Sequence, residues 1–248
     1  MFNKIKNMFK FSDVEQVKSD ETNIIDTDTV NESVVTDSIN TNTGNMVSLP
    51  DITDIPGAID YLDNSPEVVG YESVQIQNQI YKFVSRLIWS NSIIDFGCGR
   101  GDFYMYQLKS TNQPVDYIGI ESNPNLIESG KRLYGDACTF KNINWLDPAF
   151  TDVKDWCVAI TSLNTRYDAS TLTDDEFLLK TIDVMMDHCT MGSVLLLTSK
   201  YMPDSVKESI PYTQNDPGKL LNILIEKYAN VYIDHTISNS AFILYILK

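Results

Sequence analysis

The run Asp95-Phe96-Gly97-Cys98-Gly99-Arg100-Gly101-Asp102 carries the clearest chemistry in this sequence. It follows a short apolar stretch and precedes one with helical spacing, the context in which a glycine loop is informative. Glycines there let the chain turn tightly and bring bare backbone against a ligand. In open α/β sheets such a ligand lies at the carboxyl ends of the strands. A second run, Tyr117-Ile118-Gly119-Ile120-Glu121-Ser122-Asn123, places Glu121 at a strand end, twenty residues after Gly101. A carboxylate there can accept both hydroxyls of a ribose. Alone, Glu121 would read as a solvated strand-end acid; paired with the loop at this spacing, it reads as a ribose ligand.

Spacing discriminates between ligands. A dinucleotide loop has glycine at its first, third and sixth positions, with a helix N-terminus facing pyrophosphate. Here glycines fill the first, third and fifth positions and Asp102 fills the sixth. An acid there repels pyrophosphate. It suits a ligand bearing an ammonium and a sulfonium, as S-adenosylmethionine does.

The elements that must position these residues follow from periodicity. Val68 to Trp89 carries apolar residues at helical intervals, and Asn91-Ser92 ends that stretch. Ser92–Phe96 reads as a buried strand. Further apolar runs lie at 117–120, 156–160, 193–197, 231–233 and 241–247. Helical patterns over 103–110, 125–134, 174–189 and 219–228 separate most of them. Strand alternating with helix predicts a parallel sheet covered on both faces. The last two strands have only a turn between them (Ile237–Ser240), so that pair is expected to be antiparallel.

Residues 93–134 resemble motifs I and II of class I S-adenosylmethionine-dependent methyltransferases. Val69-Gly70-Tyr71-Glu72-Ser73, followed by Gln77 or Gln79 and Phe83, is similar to the VGW-x-S…Q…RF helix of one bacterial and phage branch. Asn164-Thr165-Arg166 resembles that branch's GIFN-x-K segment, and Asn215-Asp216-Pro217-Gly218-Lys219 its DPGK turn. The resemblance covers residues 66–248. It implies an α/β, Rossmann-like fold with a seven-stranded sheet, its last strand antiparallel and helices on both faces. It also implies S-adenosylmethionine as cofactor and transfer of a methyl group to an acceptor the sequence does not identify. Two departures stand out. Thr161 and Leu163 replace the glycine and phenylalanine of GIFN, and Thr236 and Ala241 stand where the branch tends to carry acids.

On this reading the cofactor set is Asp95, Gly97, Cys98, Gly99, Gly101, Asp102, Glu121, Ser122, Asn144, Trp145 and Thr161, with Asp147 a further choice for adenine. Cys98 reads as a small filler whose backbone matters. Trp145 and Trp156 are residues that more often fill a core, given the apolar area a tryptophan buries. Methyl transfer is an in-line displacement that needs orientation more than a protein nucleophile. A base is required only where the acceptor must lose a proton. Asn164, Tyr167 and His235 are the candidates near the rim, and His235 is equally readable as a surface or capping residue. His188 reads as packing or compensation of a helix C-terminus. The acceptor is bounded by absences: no Asp/Asn-Pro-Pro-aromatic tetrapeptide and no Pro-Cys pair occurs, so the patterns of amino- and cytosine-C5-methylating DNA enzymes are missing.

Composition bounds the remainder. The 248 residues carry a net charge of −15. Residues 12–63 hold twelve Asp/Glu against one Lys, the first eleven residues add three lysines, and residues 64–248 carry −7. This balance argues against a general electrostatic grip on nucleic acid, which needs a basic face. No apolar stretch of about 18 residues is present, so no spanning helix is expected. Two histidines and four dispersed cysteines offer no zinc-ligand spacing, and the cysteines read as reduced thiols of a cytoplasmic protein. If the chain is a phage product, its place would be host cytoplasm or virion.

Residues 12–60 lack Phe, Tyr and Trp, and sixteen of the thirty-nine positions from Ser12 to Pro50 are Ser, Thr or Asn. The expectation is an acidic linker over 12–63, disordered when alone, preceding a methyltransferase-like domain over 64–248. In residues 1–11, Phe2, Ile5, Met8 and Phe9 recur at helical spacing with three lysines off that stripe. That segment reads as an amphipathic anchor, docking in a groove on a protein partner in preference to lying on an anionic membrane surface, or as a frayed terminus. Two functions are therefore carried: a methyltransferase, and a catalytically inactive docking or structural protein tethered by its tail, such as a phage particle component.

Overall fold

The computed structural model describes residues 71, 73–164, 171–208 and 212–248. The expectations for residues 1–11 and 12–63 lie outside these, as do Tyr167 and part of the VGW-like and GIFN-like segments. Seven strands form one sheet: β1 (Ser92–Phe96), β2 (Asp116–Ile120), β3 (Thr139–Lys141), β4 (Lys154–Ile160), β5 (Cys189–Thr198), β6 (Asn230–Asp234) and β7 (Ala241–Leu247), in the order β3-β2-β1-β4-β5-β7-β6. All pairings are parallel except those of β7, which runs antiparallel to both β5 and β6. The strand order reverses between β1 and β4, and that switch point is where an open sheet leaves a crevice.

Alternation along the strands sends side chains to two cores. On one face Ile93, Tyr117, Phe140 and Val158 pack against α1 (Val74–Ser85), α2 (Asp102–Thr111) and α3 (Pro124–Tyr134). On the other, Ile94, Phe96, Ile118 and Ala159 pack against α4 (Asp174–Asp187) and α6 (Pro217–Leu224). A four-residue helix, α5 (Asp204–Lys207), precedes α6. Trp156 is fully buried, as its apolar area predicts.

Local sequence sets the helix starts. Ser73 caps α1 by accepting from the Ile76 N–H. Asn123 and Pro124 open α3. Thr173 and Glu176 form a reciprocal capping box on α4. The Asp216-Pro217-Gly218-Lys219 turn is the cap of α6, its carboxylate accepting from the N–H groups of Gly218 and Lys219 at 3.0 and 3.2 Å. Each such cap contributes about 1 kcal/mol.

The larger differences from the periodicity are these. The first helix runs only over Val74–Ser85 among the described residues, with turns from there to the strand. Cys189 begins β5 instead of ending α4, because Lys154 pairs with it at the amino end of the sheet, where the exposed Thr190 interrupts any apolar run. The last helix stops at Leu224 and continues as turns. β3 was not among the apolar runs: it has three residues, of which Phe140 alone is buried. No helix among the described residues is long and apolar enough to cross a membrane.

Candidate functional site

The loop after β1 crosses the carboxyl end of the sheet with Gly97, Gly99 and Gly101 all in the left-handed region, at φ 75°, 59° and 89°. Two of these glycines also answer to neighbours. A Cβ on Gly97 would collide with the Ser162 side chain, and one on Gly101 would stand 2.7 Å from the Phe140 ring. Cys98 is buried against Gly119, where a Cβ would lie 2.6 Å from its sulfur. Burial pushes the Cys98 thiol well up, so it is a filler and not a nucleophile at neutral pH.

Four N–H groups of the loop are spent on the protein. Gly97 and Cys98 both donate to the Ile120 carbonyl, at 2.7 and 3.0 Å, and Gly101 donates to the Cys98 carbonyl. The Gly99 N–H donates to Glu121 Oε2 at 3.0 Å, which draws the carboxylate from the end of β2 onto the loop. The second oxygen of Glu121 accepts from the Asn123 N–H at 2.8 Å and from the Ser122 hydroxyl at 3.3 Å. Asn142, just after β3, fixes this corner by donating to the carbonyls of Glu121 and Ser122. A phosphate cradle needs unspent N–H groups at the loop and helix start. This donor set fits a cationic nucleoside better than a pyrophosphate.

Asp95 lies one residue before the end of β1, 3% exposed, and accepts from the Tyr117 hydroxyl at 2.6 Å. Burial lifts its carboxyl to about 7, against the downward pull of the Tyr117 hydrogen bond; the charge of Glu121 adds a smaller push upward. Asp102, at the start of α2, is held on both oxygens: Arg100 Nε donates to Oδ1 at 2.8 Å and Gln77 Nε2 to Oδ2 at 3.1 Å. Its charge is thus met inside the protein.

Other expected residues are distributed along the rim. Asn144 is exposed and accepts from the Leu146 N–H in its own turn. Asp147 accepts from the Ala149 N–H in the same way. Trp145 is half-buried edge-on to Phe96, its indole donating to Thr181 on α4 at 3.2 Å. Thr161, directly after β4, stands at φ 66°. That conformation suits the glycine of the GIFN pattern; for a β-branched residue it stores about 1–2 kcal/mol of strain.

In the short turn after β4, Asn164 is 1% exposed. Its Oδ1 accepts from the Thr198 N–H at 2.9 Å, while its Nδ2 is buried without a partner. His235, just after β6, sets Nε2 2.7 Å from Ser199 Oγ at the end of β5 and stacks on Phe242. His188 caps α4, stacks on Phe150 at 4.3 Å and holds the Asp152 carbonyl, which makes it a packing residue.

Sequence reasoning gave no role to Tyr117, Arg100, Asn142, Ser162 or Ser199. The first had a signal: an acid inside an apolar strand requires a donor, and neighbouring parallel strands supply one from an alternate position.

No family model and no curated protein matches this chain. Solved structures do. The N-methyltransferase NodS from Bradyrhizobium japonicum WM9, in complex with S-adenosylhomocysteine, is similar at 13% identity over 78% of this chain and 97% of NodS, TM-score 0.52. The plantazolicin methyltransferase BpumL, in complex with a triazolic desmethylPZN analogue and S-adenosylhomocysteine, is 12% identical over 80% of this chain and 91% of BpumL, TM-score 0.50. The mitomycin 7-O-methyltransferase MmcR is 12% identical over 79% of this chain and 59% of MmcR, TM-score 0.53. At these identities the likeness is one of fold, and the fold is methyltransferase-like.

Proposed function

We propose that this chain binds S-adenosylmethionine over the bend from Gly97 to Gly101 and serves methyl transfer to an acceptor held above β4 and β5. The observation that supports this best is the Glu121–Gly99 hydrogen bond, which sets a carboxylate over a glycine loop at the sheet's switch point. Glu121 is the ribose ligand, with Ser122 beside it and Asn142 holding its backbone. Asp95 offers a buried carboxylate to the positive end of the ligand. When bound, the cofactor supplies a methyl group on a positively charged sulfur, open to displacement by an acceptor lone pair. The chain's own part is to orient and to keep water out. Asn164, buried after β4, holds the Thr198 backbone at the end of β5 through its Oδ1 and so supports that wall. His235, with Ser199 fixing its ring, takes up a proton where the acceptor is a hydroxyl.

A thermal-shift comparison tests this reading. S-adenosylhomocysteine raises the melting temperature of the full-length protein in a concentration-dependent way, and NAD does not. A shift with NAD alone, or with neither, overturns it.

A further inference from the structure

The two edges of the sheet are built differently. β3 closes one side with three residues, a length too short to recruit another strand. β6 closes the other with five, Asn230-Val231-Tyr232-Ile233-Asp234, paired with β7 in an unbroken register. It carries no lysine, no proline and no bulge, the devices that keep an edge from pairing. Among the described residues no strand lies on its outer side.

The side chains of this edge give a direction. Tyr232, at the centre of the strand, is 43% exposed and stacks on Tyr245 of β7, with ring centroids 4.6 Å apart and an interplanar angle of 9°. That separation matches the spacing of neighbouring strands, about 4.7–4.9 Å. A strand added outside β6 therefore brings its own side chain onto the outer face of the Tyr232 ring.

The edge is also complementary to itself. Laid antiparallel to a second β6 with Tyr232 opposite Tyr232, it sets Val231 against Ile233 and Asn230 against Asp234. Val231 and Ile233 are half-buried apolar residues that such pairs cover. Asp234 is the strand's single charge, and it meets an amide donor instead of a second carboxylate.

We infer that two copies of this chain pair through β6 about a two-fold axis at Tyr232. The pairing joins their sheets into one and continues the Tyr245–Tyr232 stack into the second copy. The two carboxyl rims then face opposite ways, and each His235 comes beside the second copy's turn before Asn230.

Sedimentation equilibrium of the full-length protein tests this, with circular dichroism to follow folding. The parent is dimeric at about 100 µM chain. Tyr232→Lys, which opposes two ammonium groups at the axis, is a folded monomer there. Asn230→Asp sets carboxylate against carboxylate in two places and weakens the dimer about threefold to tenfold; Asn230→Lys forms ion pairs there and tightens it by a similar factor. A monomeric parent at that concentration overturns the inference, as does a Tyr232→Lys protein that dimerises with the parent's affinity. Where Tyr232→Lys does not fold, the Asn230 variants decide: opposite shifts support the pairing, and shifts in one direction or none overturn it.

Discussion

The Tyr117 hydroxyl on β2 donates to the buried carboxyl of Asp95 on β1 at 2.6 Å, two residues before the first glycine of the loop. An acid in that position has no water to stabilise its charge, and burial outweighs the hydrogen bond, lifting the carboxyl to about 7.

A sign follows for stability. The folded-state value lies above the ordinary 3.8, so the native protein keeps a proton that the unfolded chain has lost. This contribution is full below about 4 and is lost as pH rises through about 7. Urea unfolding between pH 4 and 8 therefore shows a falling component that Asp95→Asn removes. Tyr117→Phe removes the hydrogen bond that lowers the value, and moves the fall to higher pH.

A cationic ligand favours the ionised carboxylate. Binding of S-adenosylmethionine then tightens as pH rises from 6 to 8 and releases protons, visible as a dependence of calorimetric heat on the buffer's ionisation enthalpy. Asp95→Asn flattens both.

At Thr161 the backbone conformation itself is testable. Thr161→Ala keeps the left-handed φ and loses the hydroxyl, whereas Thr161→Gly relieves the φ. The glycine variant is therefore the more stable of the two, by about 1 kcal/mol in urea unfolding.

Gly97 is crowded by Ser162 as well as being left-handed. Gly97→Ala destabilises by about 3 kcal/mol. In the double variant with Ser162→Gly the steric part disappears, leaving a coupling of about 1–2 kcal/mol between the sites. Additive effects would show that Ser162 does not set the glycine.

What could be read in the sequence was what depends on local pattern. Ser92–Phe96 and Ala241–Leu247 emerge with the boundaries that their apolar runs give. The glycine loop and Glu121 are legible because turn chemistry and spacing are local, and the structure brings them together. β3 was hidden because a three-residue edge strand with one buried side chain carries no period. Asp102 read as an acid facing a cationic ligand, since its partners Arg100 and Gln77 meet on it only after α1 packs on α2. Thr161 looked like a departure from a glycine pattern; its backbone kept the glycine conformation while the side chain changed, which a letter cannot show.

Calorimetry of S-adenosylhomocysteine binding to the parent protein and to Glu121→Ala tests the account most directly. The parent binds. The variant, lacking a charged acceptor for the ribose and for the Gly99 N–H, loses about 1.5–3 kcal/mol, at least a tenfold weakening. Equal affinities in the two proteins, or no heat from the parent at millimolar ligand, would contradict it.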